Sequence, residues 1–353
     1  MDKKIGSLLL LLLLALAGTN ARACDLCGCY TPQLAAIVDP NAALDPQSHG
    51  RHAWPDGFYV AIGEQFTHFG TVQVDGEEVA NPTGQYLDSS ITQLVAGYSF
   101  TPRFGLQINL PLIYRSFERP EGFGIDRGTE SGLGDISLLA KYVLFHSERG
   151  GSAHVDFSDS KSPRMVSKEP DFTASVVLMA GVKFPTGDSD RLSEEFNEIE
   201  IPGAPPSGIH GHDLALGTGS FDGILGAQTS LRYRNFFFQA DAQFAVRGEG
   251  DFGYEPANDI SWSGGPGYYF VRNRDLIVGL QFVVSGEHKD LDRFQGAAVE
   301  DTGITSVFLG PRVIASMGRV SGEIGVDIPV IIDNTALQTV PDYRVRAGFA
   351  FRF

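Results

Sequence analysis

The sequence predicts an all-β fold, a transmembrane antiparallel up-and-down β-barrel of about twelve strands. Three observations carry this: apolar and polar residues alternate in short segments from residue 57 onward, short connections alternate with long ones, and the sequence stops on a strand ending in Phe353.

The chain opens with Met-Asp-Lys-Lys, continues through the apolar run Leu8 to Ala17 and reaches Ala21-Arg22-Ala23 just before Cys24. A basic start, a short apolar stretch and an A-x-A site are the parts of a secretory signal peptide. The run is shorter than the roughly twenty apolar residues a spanning helix needs. Residues 1–23 are therefore expected to be cleaved, residues 24–56 to form a Cys-containing periplasmic extension, and residues 57–353 to form the barrel. No later apolar run is long enough for a membrane helix, whereas alternating strands keep the average hydropathy ordinary. The formal net charge is −16. Without clustered Lys and Arg such a chain is not expected to bind nucleic acid, and its acids are assigned to solvated loops.

Strands are expected near 57–69, 89–100, 104–115, 133–145, 172–184, 220–232, 236–247, 259–270, 275–287, 303–316, 319–331 and 342–353. The last is the clearest. Tyr343, Val345, Ala347, Phe349, Phe351 and Phe353 share one face, and Arg344, Arg346, Gly348, Ala350 and Arg352 share the other. An aromatic face opposite a charged one suits a wall between lipid and water.

Very short turns fall at Thr101-Pro102-Arg103, Tyr233-Arg234-Asn235, Arg272-Asn273-Arg274 and Met317-Gly318. Longer polar loops fall at 70–88, 116–131, 185–219, 248–258, 288–302 and 332–341. Barrels whose two ends face periplasm and exterior sort their loops this way. The stretch 146–171 lies on the short side yet is long and polar. It is either a periplasmic excursion or a further hairpin, which would make fourteen strands.

Aromatic residues support the same arrangement. Phe100, Phe104, Phe145, Phe172, Tyr233, Phe236, Phe270 and Phe353 stand at the short-turn end, and Phe66, Tyr114, Phe184, Phe244, Trp262 and Phe282 near the long loops. Two belts match two headgroup interfaces. Phe349, Phe351 and the terminal Phe353 are also similar to the signal read by the barrel-assembly machinery.

Alternation assigns Lys141, Lys183, Asp241, Arg312, Glu323, Asp327, Arg344 and Arg346 to the lumen, which would be polar and of mixed sign. Glu323 and Asp327 lie one hairpin from Arg344 and Arg346, within reach of cross-strand ion pairs. Glu64 falls on the apolar face, where a carboxylate is costly, so a bulge or an interfacial position is expected there.

Three motifs, "GLGDISLLAKYVLF" at 132–145, "GVKFPTG" at 181–187 and "LGTGSFD" at 216–222, together resemble the outer-membrane transporter-like family labelled meta-pathway phenol-degradation protein. The resemblance covers the barrel and implies uptake of aromatic or other hydrophobic compounds. By themselves the motifs mark Pro-Thr-Gly and Gly-rich strand ends and carry no evident chemistry.

Cys24, Cys27 and Cys29 stand outside this scheme. Three converging thiolates suit a soft metal, with His49 and His52 near enough to add nitrogen ligands. A local disulfide or a lipidated Cys24 are the other readings. His210 and His212, in "GIHGHD", form an H-x-H pair that in a polar Gly-rich loop is more often solvated than metal-bound. A wall-embedded hydrolase would need a serine beside His68, His146 or His288, and none has an obvious partner, so no enzyme is expected.

The reading is an integral β-barrel of the bacterial outer membrane, monomeric or weakly oligomeric. It passes a small solute, apolar or aromatic compounds among the candidates. The alternative is a barrel-anchored periplasmic scaffold that binds metal or a redox partner through its cysteines.

Overall fold

The computed structural model describes residues 57–150, 170–197, 201–273 and 276–353, and the backbone of 153–156 and 164–167. The expected signal peptide at 1–23 and the expected extension at 24–56, with Cys24, Cys27, Cys29, His49 and His52, lie outside the described residues.

Twelve antiparallel strands close into a barrel. They are β1 (Gly57–Val74), β2 (Tyr86–Ser99), β3 (Phe104–Glu121), β4 (Ser137–Arg149), β5 (Phe172–Lys183) and β6 (Asp222–Tyr233). The second half comprises β7 (Phe236–Val246), β8 (Asp259–Arg272), β9 (Ile277–Lys289), β10 (Ile304–Met317), β11 (Val320–Asn334) and β12 (Leu337–Arg352). Each strand pairs with the next, and β12 returns to β1 from Tyr59↔Arg352 to Val74↔Leu337. Closure satisfies the backbone of both edges within the protein, as a hydrocarbon surrounding demands.

All twelve expected strands are present. Residues 146–149 of the 146–171 stretch continue β4 and pair with β5, while Ala153–Asp156 and Arg164–Ser167 pair only with each other and add no strand to the barrel. Two expected loops are corrected. Residues 332–341 are nearly all strand, with Thr335 and Ala336 alone joining β11 to β12. Residues 116–131 extend β3 to Glu121, and Gly124–Leu133 folds back to pair with it. Strands β1 and β3 each span 18 residues, well beyond the roughly 9–11 that cross a bilayer. Their outer ends therefore stand clear of the lipid. Polar residues there can pair across strands as readily as they can face water, so polarity was no guide to where pairing ends.

The outward face is apolar. Ile62, Leu94, Ile108, Leu138, Leu178, Leu225, Leu280 and Ile324 are all exposed, while their chain neighbours point inward. At the short-turn end Tyr98, Phe100, Phe104, Tyr233, Phe236, Tyr268 and Phe270 face out, and Phe349 and Phe353 join them. The terminal ring packs on Phe58 at 5.2 Å and on Phe351 at 5.0 Å. Glu64 faces outward without the expected bulge, since the β1 register runs unbroken through it and shifts only beyond His68. Its carboxylate instead accepts hydroxyl hydrogen bonds of 2.5 Å from Ser90 and Thr92 on β2. That satisfies a charge which the apolar face alone would leave bare.

Candidate functional site

The three motifs meet at the outer mouth of the barrel. Asp135 follows "GLG", Lys183 precedes "FPTG", and Thr218, Ser220 and Asp222 belong to "LGTGSFD". Lys183 Nζ lies 2.6 Å from Asp135 Oδ2 and 2.8 Å from Asp222 Oδ2, and it also contacts Thr218 Oγ1. The other Asp135 oxygen accepts the backbone N–H of Thr186 at 3.1 Å and of Gly187 at 2.9 Å. Asp222 also takes Arg247 at 2.8 Å, and Arg247 in turn holds Asp259. Buried ions persist only when paired and hydrogen-bonded throughout, and this group is. Gly187 and Gly217 pack backbone to backbone at the centre. A Cβ on Gly187 would lie 2.6 Å from the Leu216 carbonyl oxygen, which explains both glycines.

This junction anchors the long loop 184–221, whose described residues turn into the barrel as a plug. Ile209 and Leu214 bury themselves against Phe69, Leu87 and Phe117 of β1, β2 and β3, and Leu216 against Ile91 and Ile113. Arg115, fully buried on β3, donates to the carbonyl oxygens of Asp213 and Ala215, the latter at 2.6 Å. Arg119 reaches Glu194 of the plug at 2.8 Å. The lumen is thus more apolar than alternation suggested. Besides the plug contacts, Tyr59, Val95, Val143 and Val177 form one inward apolar group, and Phe237, Tyr269, Ile277 and Ile314 another.

His210 and His212 are not solvated as expected. Their rings stack 5.6 Å apart within 2° of parallel. His210 Nε2 sits 2.9 Å from Asp301, and His212 Nδ1 sits 2.9 Å from Glu195. Asp213 closes on His212 Nε2 at 3.6 Å, and the Tyr254 ring lies 6.0 Å from that of His212. Burial opposes charge on His212, but Asp213, Glu195 and Asp301 outweigh it and push the imidazole up to about 9. Among the described residues no cluster has the geometry of a metal site.

Beside the plug the wall changes. Pairing between β11 and β12 runs from Val320↔Phe351 to Asp327↔Arg344 and stops. Beyond it, β11 stays paired with β10 up to Ile304↔Asn334, and β12 with β1 up to Val74↔Leu337. The plug fills the vacated side, as Thr339 N–H on β12 donates to the Gly208 carbonyl at 2.8 Å. A Cβ on Gly208 would lie 2.9 Å from Gln338 C and Thr339 N, so only glycine comes this close. Backbone donors of alternate residues point the same way along a strand, so Pro341, two residues on, withholds a donor from the same gap. Ile328, Val330 and Ile331 rim one side, exposed, and Tyr343 stands exposed on the other, where Val340 and Pro341 are buried.

The charges assigned to the lumen all lie on the inner face. Lys141, Lys183, Arg312, Asp327, Arg344 and Arg346 are buried, and Asp241 and Glu323 half-buried. Arg346 Nε meets Asp327 at 3.2 Å, a cross-strand pair of the anticipated kind. Arg344 instead reaches Glu287 on β9 at 3.2 Å and lies 4.1 Å from the Phe308 ring centroid. Ser263 donates to Asp241 at 2.7 Å. Of the other histidines, His68 meets Asp88 at 2.6 Å on the outer surface, His146 meets Glu148 at 3.3 Å, and His288 meets Thr305 Oγ1 at 2.6 Å.

No protein-family description matches the chain, and no curated protein matches it in sequence. Among solved structures, an outer membrane channel from Pseudomonas putida F1 is similar over 86% of this chain and 98% of its own, with a TM-score of 0.54 and 14% identity. The chain is an integral outer-membrane β-barrel. The β domain of the Bordetella autotransporter BrkA is more distant, at a TM-score of 0.42 and 12% identity over 85% of this chain and all of its own. In this outer-membrane barrel the shared fold accounts for the apolar belt, the sorted loops and the aromatic ends.

Proposed function

We propose that the protein is an outer-membrane channel for a small apolar or aromatic solute. The solute enters between β11 and β12 and passes behind the plug toward the periplasm. The observation that carries this reading is the end of pairing at Asp327↔Arg344 while both strands keep their other neighbours. An open edge in a barrel wall is disfavoured unless protein backs it, and here the plug's Gly208 does so. An apolar rim outside and the buried cluster of Phe69, Leu87, Phe117 and Ile209 inside give an apolar solute continuous contact. The resemblance of the three mouth motifs to the phenol-degradation family supports the same solute class.

The test uses Ile328→Cys with Tyr343→Cys, positions that face each other in the hairpin register, in protein whose native cysteines are serine. Oxidation should stop entry of a fluorescent apolar probe into cells and reduction should restore it, while swelling of liposomes in small sugars stays unchanged. Equal probe entry with the disulfide formed would overturn the lateral route. Impermeability to sugars and probe alike would overturn the channel itself.

A further inference from the structure

The plug is held to the wall on its inner side by histidine contacts that neither the fold nor a passage requires. His210 reaches from the plug to Asp301 in the connection between β9 and β10, whereas His212 pairs with Glu195 inside the plug. We propose that these two histidines are a protonation-held latch: their charged forms keep the plug seated in the mouth, and loss of the protons unseats it. The effect on passage rests on the channel reading; the seating of the plug does not.

Two stacked imidazolium rings repel, so a doubly charged pair needs an excess of nearby anions. The site supplies three carboxylates, Glu195 from the helical turn Asp190–Asn197, Asp213 from the short helix Gly211–Leu214, and Asp301 from the opposite loop. Tyr254 covers the His212 ring, and its hydroxyl is held by Asp292, which Lys289 neutralises at 2.5 Å. Glu287 and Lys289, on β9, line the small cavity that His212, Asp213 and Asp301 also line. Of the cations in this setting, Lys289 is committed to Asp292, Arg119 to Asp126 and Glu194, Arg191 to Glu130 and Glu194, and Arg115 to the carbonyl oxygens of Asp213 and Ala215, so Glu195, Asp213 and Asp301 remain to face the histidines.

The sign of the effect follows from the direction of the shift. A histidine raised above its ordinary value of about 6.5 contributes its full stabilisation below that pH and loses it as pH rises through about 9. The same contacts hold the Asp301 and Glu195 carboxyls below their ordinary range against the opposing effect of burial. Their contribution is present above about pH 4 and fades only in acid. The latch is therefore closed at neutral pH and opens in alkali.

Trypsin cleavage at Arg191, which lies on the plug, reports seating in the full-length protein in detergent, with rates normalised to a peptide substrate at each pH. Between pH 7 and pH 10 the normalised rate should rise about tenfold or more, and single-channel open probability should rise with it. His212→Gln and His210→Gln should each show the raised rate at pH 7 and a flattened pH profile, with barrel folding checked by the heat-dependent gel shift. A flat profile for the unmutated protein, or an unchanged profile in both folded variants, would overturn the latch. Cleavage that follows pH while no solute passes in either state would uphold the latch and remove the channel reading.

Discussion

Strand β12 treats its two neighbours differently. Toward β1, the partner farthest away in sequence, it pairs along its whole length; toward β11, joined to it by two residues, it pairs over only the half nearest the periplasm. Proximity in sequence favours the β11 pairing, because a tight hairpin closes at low entropic cost. The gap therefore reflects competition. The plug offers β12 an alternative acceptor at Gly208, and Pro341 removes a donor that β11 would have used. The contrast between the two flanks marks where the wall would yield on the proposed lateral route.

The severest way to break the contrast is to remove the plug's anchor. Lys183→Met leaves Asp135 and Asp222 with less positive charge in a buried site, a loss of about 3–5 kcal/mol. It should appear as a large drop in the temperature of the heat-dependent gel shift. Gly208→Val comes next. Its side chain cannot fit against the β12 backbone, and overpacking of about 1–3 kcal/mol should multiply the unseated fraction by roughly 5 to 150. The predicted signs are faster trypsin cleavage at Arg191 and faster entry of an apolar probe, with the barrel still folded. Pro341→Val sharpens the contrast from the other side by restoring a donor worth about 1 kcal/mol. Apolar entry should slow modestly, and amide exchange along the outer half of β11 should become slower. The smallest effect is expected at Glu64→Gln, far from the gap, where one of the Ser90 and Thr92 hydroxyls can still donate to the amide oxygen and the other can accept from the amide N–H. A change in unfolding temperature beyond that of a single lost charge-assisted bond, about 1 kcal/mol, would show that Glu64 does more than satisfy its own charge.

The fold was legible because the bilayer imposes a rule at every position it touches. Alternation at 343–353 and the belts at Phe100, Phe104, Tyr233 and Phe236 report directly on lipid, and strand positions followed from them. The site was less legible, since lipid never contacts it. "GLGD", "FPTG" and "GTGS" were visible as motifs, yet nothing local shows that Asp135, Lys183 and Asp222 share one buried ion-pair network, because the loop that unites them spans 184–221. His210 and His212 looked like solvated loop residues for the same reason. Their carboxylate partners Glu195 and Asp301 are 17 and 91 positions away, and a polar sequence does not distinguish a loop in water from one folded inward. Gly208 and Pro341 do carry a local signal, since a glycine outside a tight turn and a proline at the start of an alternating strand each imply an interruption of regular pairing.

The two-residue turn at Thr335-Ala336 sets a limit on what can cross the wall. It ties the top of the gap as firmly as Asp327 and Arg344 tie the bottom, leaving a slit about 20 Å long at roughly 3.3 Å per residue. A slit fastened at both ends widens only by bowing, most at its middle and hardly at its tips. On the proposed lateral route, flat or slender molecules presented edge-on would be admitted and bulky globular ones of equal hydrophobicity turned away.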